Sequence, residues 1–144
     1  MTYQKWFDTH AQKHKNIVQK LQDKNYTKEE IVDYFDFDNM VKQENNFCYL
    51  YKDNKKCHDI EELNCYLCAC PNFRFNDDGL SNYNGKTIKS KCTINNGEAF
   101  AYEDIIHHDC SSCHVPHYKS YALKNFSYDW KEIMQKCPSK EQKC

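Results

Sequence analysis

A chain of 144 residues is long enough to bury one core, and a formal net charge of −1 leaves no broad basic footprint for nucleic acid. No run approaches the ~18 apolar residues that would cross a bilayer. What needs explaining is 10 cysteines beside 7 histidines in a chain only 40% hydrophobic. After Met1, polar and charged residues recur every few positions with no apolar stretch of signal-peptide length, so a cytosolic address is expected. Thiols stay reduced there, and clustered cysteines ligate metal or catalyse rather than pair. A secreted scaffold with five disulfides is the alternative; the crowding of Cys65, Cys68 and Cys70 favours ligation over it.

Residues 1–47 contain no cysteine and read as two helices. Trp6, Phe7, His10, His14, Ile17, Val18 and Leu21 recur at steps of three and four along one face. His10 and His14 are i, i+4 neighbours, a spacing that can chelate, but without a nearby acidic or cysteine partner they read as core histidines beside Trp6 and Ile17. Asn25-Tyr26 breaks the pattern, and Thr27 with Glu30 forms a capping box opening a second helix that runs to about Asn45-Asn46. Further on, Lys86–Ile94 alternates like a strand. Asn95-Asn96-Gly97 reads as a turn and Glu98–Tyr102 as the returning strand. Residues 128–136 read as a short helix.

Cys65-Tyr66-Leu67-Cys68 and Cys110-Ser111-Ser112-Cys113 are two C-x-x-C elements, each able to present two thiolates to one tetrahedral ion from a tight turn. Cys48, Cys57, Cys70 and His117 bring the donors to eight, the number that two closed four-coordinate sites require. His58 and His114 are alternates, and the partition between sites stays open. Cys92, Cys137 and Cys144 read as structural or free thiols, and His107 and His108 as exposed spectators unless a site is open. Zinc suits this mixture of sulfur and imidazole. An iron–sulfur cluster is the alternative, since Cys70-Pro71 resembles the Cys-Pro closing bacterial ferredoxin motifs, although the C-x-x-C-x-C spacing differs. Cys110-x-x-Cys113-His114 also satisfies the c-type haem attachment pattern, in a single copy and without an export signal.

Taken in order, Asn46-Phe47-Cys48, Cys57-His58, Asn64 through Pro71, Asp109 through Cys113 and Pro116-His117 resemble the cysteine-rich small domain family of bacteria and archaea. That family is described as metal-binding, with members often encoded near cobalamin-biosynthesis genes. The resemblance implies metal binding on Cys48, Cys57, Cys65, Cys68, Cys70, Cys110, Cys113 and His117. The chain departs from it in the longer stretch between Cys70 and Cys110 and in the added N-terminal helices.

The expected fold is α+β: a loop-rich, metal-cross-linked module with one β-hairpin (46–125), covered by an N-terminal helical hairpin (1–45) and followed by a C-terminal helix and tail (126–144). The expected function is a cytosolic metal-binding protein with two Cys/His sites, zinc first, acting as an accessory or binding module rather than an enzyme. A protein partner is compatible with that role; nucleic acid and membrane are not expected.

Overall fold

The first helix, α1 (Tyr3–Asp23), forms as its periodicity predicts, in a computed structural model that describes residues 2–92, 94, 96–110 and 113–134. Thr2 caps it by accepting the Lys5 amide, and His10, His14, Ile17, Val18 and Leu21 are its buried face. Among the described residues no helix is long and apolar enough to cross a membrane.

The predicted second helix is instead two: α2 (Lys28–Tyr34) and α3 (Phe37–Gln43). The capping box at Thr27 is realised in both directions. The break at Phe35-Asp36 has a tertiary cause. The Phe35 carbonyl accepts the Cys65 amide, and the Phe37 amide donates to the Leu63 carbonyl, so this stretch pairs with the cysteine-rich segment rather than continuing a helix.

The core is one cluster that joins the N-terminal helices, the cysteine-rich segment up to Ala69 and the C-terminal helices. Ile17, Val18 and Leu21 of α1 meet Ile31 and Val32 of α2, Tyr66 and Leu67 from the cysteine-rich segment, and Trp130 and Ile133. Trp130 begins α5 (Trp130–Met134), and α4 (Lys119–Lys124) contributes the buried Ala122. The helix predicted over 128–136 is thus present as α5; its expected last residues, 135 and 136, lie outside the described residues, as do Cys137 and Cys144.

Two small sheets carry the remainder. In the first, β1 (Phe73–Phe75) pairs antiparallel with β4 (Ser90–Cys92). The second has the order β2 (Ser81–Tyr83), β3 (Lys86–Ile88), β6 (Ile105–Asp109), β5 (Glu98–Tyr102). The predicted hairpin partner is corrected here: Glu98–Tyr102 pairs with β6, Phe100 opposite His107, and not with 86–94. The 86–94 stretch is split at Lys89 because it serves both sheets, β3 with β2 and β6, β4 with β1. Asn84 and Gly85, both at positive φ, make the tight β2–β3 turn.

Asn64 links the helical half to the cysteines. Almost wholly buried, it donates its side-chain amide to the Val32 carbonyl and to Asp36, each at 2.7 Å, and accepts the Tyr66 amide at 2.9 Å. Asn64→Ala leaves a carbonyl and an amide unpaired in the interior, a predicted loss of about 2 kcal/mol. The shift in urea midpoint measures it.

Candidate metal centre

Cys57 and His58 follow a 3-10 turn (Tyr49–Asp53) that is closed by Asn54 in the left-handed region. Cys65 and Cys68 lie in a tight turn in which the Cys68 amide donates to the Cys65 carbonyl. His117 ends a second 3-10 turn (Val115–His117) and is buried. These segments are sewn together at Asn64: its amide donates to the His117 carbonyl, and its own carbonyl accepts His117 Nδ1 at 3.0 Å.

The result is one tight donor group. Ligand atoms of Cys57, His58 and His117 all lie within 4.8 Å of one another, a group able to hold a metal ion. Cys57 Sγ is 3.5 Å from His117 Nε2 and 3.2 Å from His58 Nδ1. The opposite nitrogen of each ring is already committed, His117 Nδ1 to Asn64 O and His58 Nε2 to Cys110 O, both at 3.0 Å. A carbonyl only accepts, so those nitrogens carry the protons and the lone pairs of both rings face Cys57. This backbone anchoring is how proteins fix a metal-binding histidine's tautomer and aim.

The electrostatics agree with that chemistry. Burial, then the nearby His58 and His114 rings, lowers His117 to about 4, so it is neutral at physiological pH, the form that ligates. Burial and then Cys48 raise Cys57 to about 11, and although the residue as a whole is exposed, its sulfur is turned to the two rings. Cys65 is pushed up to about 12, first by burial and then by the charges of Cys57 and Cys48 among its neighbours. Cys68 is raised well above the ordinary thiol range by burial, then by Cys65, Cys57 and Cys48. Cys57, Cys65 and Cys68, three thiols that resist ionising together, are a set that a divalent cation relieves.

No family model, curated protein or solved structure matches the chain. Function is therefore read from the chain's own donors.

Of the eight predicted ligands, Cys48, Cys57, Cys65, Cys68 and His117 line one cavity of about 40 Å³. Cys70, Cys110 and Cys113 line a second one, of about 280 Å³, together with Cys92 and His58, and His117 lines both. His58, an alternate by sequence, joins the first group directly; His114 packs edge-on to it with ring centres 5.4 Å apart. Cys92 lacked any sequence signal because no second cysteine is spaced near it; the β1–β4 ladder, setting it opposite Phe73, brings it in. The eight described cysteines are all free.

The remaining histidines have other partners. His10 stacks on Trp6 at 4.9 Å and His14 Nε2 donates to the Tyr66 carbonyl, both inside the helical core as expected. His107 meets Ser90 and the ring of Phe75, and His108 bonds the Asn96 carbonyl.

Proposed function

We propose that this protein is a cytosolic metal-binding module that carries two zinc ions and serves as an accessory or binding factor rather than as an enzyme. The observation that carries the reading is the Cys57, His58, His117 group, with ligand atoms within 4.8 Å of one another and both rings anchored by backbone carbonyls on their far sides. Mixed sulfur and imidazole donors in a tetrahedral-sized group suit zinc. One of the thiols of Cys48, Cys65 and Cys68, which line the same cavity as Cys57 and His117, completes the four donors. The cavity of about 40 Å³ has room for a single ion rather than for a cluster several atoms across, which favours zinc over iron–sulfur at this position. The ordered spacing that resembles the cysteine-rich small domain family supports the same reading.

Elemental analysis of the full chain, purified without oxygen, tests it. Two equivalents of zinc and a colourless protein are expected. The double variant Cys57→Ser, His117→Ala should lose one equivalent. Folded protein without metal overturns the reading, and iron with sulfide and visible absorbance replaces zinc by an iron–sulfur cluster.

A further inference from the structure

We propose that Cys70, Cys92, Cys110 and Cys113 form a second zinc site, all thiolate and separate from the Cys57 centre; this rests on the metal-binding reading above and gives the second ion its address. Seven cysteines and His117 were the set legible from spacing. The larger cavity adds Cys92 to Cys70, Cys110 and Cys113; His58 and His117 also line it, but their ligand atoms lie within 4.8 Å of Cys57 Sγ, which assigns both rings to the first group.

Three separate pieces of backbone deliver these sulfurs. Ala69 and Cys70 both adopt positive φ, a sharp reversal that turns Cys70 away from the side served by Cys65 and Cys68. The Phe73 amide closes the turn on the Cys70 carbonyl and leads into β1. Opposite Phe73 in the ladder is Cys92, the last residue of β4. The β5–β6 pair, with Glu98 opposite Asp109, then sets Cys110 beside the Asn96-Gly97 segment. A Cβ on Gly97 would collide with the Asp109 carbonyl oxygen, so only glycine lets that segment approach so closely. Cys113 follows in a turn whose amide bonds the Cys110 carbonyl at 3.0 Å.

The sulfurs are also furnished with donors suited to thiolates. Cys70 Sγ accepts the Asn72 amide at 3.4 Å, Cys92 Sγ the Asn96 amide at 3.5 Å, and Cys113 Sγ the Asn96 side-chain amide at 3.0 Å. Four thiolates around a divalent ion leave about two negative charges. N–H groups aimed at sulfur offset that excess, and they are the outer partners such sites use.

The test is zinc content of the full chain. Wild type should hold two equivalents and Cys92→Ser one, while the Cys137→Ser, Cys144→Ser double variant keeps two. Two equivalents in Cys92→Ser overturn the site, as does a loss in the double variant. Where Cys92→Ser does not fold, Cys92→His decides: its imidazole retains the ion but replaces one thiolate, so after cobalt substitution that site's sulfur-to-metal absorbance should fall by about a quarter. An unchanged spectrum overturns the proposal, and so does Cys92-dependent iron with sulfide. Wild type with no metal defeats both readings; wild type with one equivalent that Cys92→Ser retains defeats this site and the count of two, and leaves the Cys57 centre standing.

Discussion

Stripping the proposed zinc with an excess of strong chelator is expected to unfold the whole protein, helices included, and not only the cysteine-rich loops. The reason is the composition of the core. Tyr66 and Leu67 are fully buried between the turn cysteines Cys65 and Cys68, and they pack in the same cluster as Leu21, Ile31, Val32 and Trp130. The Trp130 indole also donates to the Cys68 carbonyl at 3.0 Å. A loop that loses its ion therefore releases the inner wall of the helical core. Structural zinc is worth roughly 10–16 kcal/mol in small zinc-folded modules, against a net stability of about 5–15 kcal/mol for ordinary domains, so its loss outweighs the remainder. Far-ultraviolet circular dichroism should lose its helical signal, and fluorescence of Trp6 and Trp130 should shift as the core opens. Zinc added back under reducing conditions should restore both. Complete metal removal with unchanged helicity would show that the apolar core stands without the ion.

The second large effect is an acid-side loss of stability centred on α1. His10 is lowered to about 4 by burial and then by Lys13, and His14 to about 3 by burial and then by His10, with its bond to the Tyr66 carbonyl acting in the opposite sense. The rings contacting His10 are aromatic: Trp6, Phe47 and Trp130. Above about pH 7.5, a unit over the unfolded value, both rings are neutral in folded and unfolded chains alike, and the stabilisation is fully present. As pH falls toward 4, the unfolded chain takes up protons that the folded chain refuses, so stability drops with pH. For His10 the loss amounts to about 2–3 kcal/mol by pH 4.5. His10 Nε2 is buried without a hydrogen-bond partner, so His10→Phe removes the titration without removing a bond. Urea midpoints of the variant should fall less steeply than those of wild type between about pH 7 and 4.5, both chains carrying the same cysteines. Parallel curves would sink the assignment.

How much of this was legible depends on the range of the interactions. The α1 face, the Thr27 capping box and the burial of His10 and His14 are consequences of residues three and four apart, and a helix repeats such contacts wherever they occur. The α2–α3 break was not legible, because it is held by Phe35 and Phe37 bonding to Cys65 and Leu63 nearly thirty positions on. The β-hairpin misreading has a similar source. Alternation from Lys86 to Ile94 describes a strand but does not name its partner, and the Asn84-Gly85 pair just before it was the stronger turn signal.

The sequence by itself determined the chemistry of this protein: thiols and imidazoles in number and spacing suited to metal, an amphipathic first helix, and an α+β composition of elements. Only the tertiary structure decided which donors meet. C-x-x-C spacing makes two sulfurs neighbours through a local turn, but the neighbours of Cys57 and Cys92 arrive from across the chain. Cys57 meets His117 because Asn64 is bonded twice to His117, and Cys92 shares a cavity with Cys70 because the β1–β4 register opposes it to Phe73. Backbone pairing of that kind is set by the packing of whole elements, and no local pattern of residues encodes it.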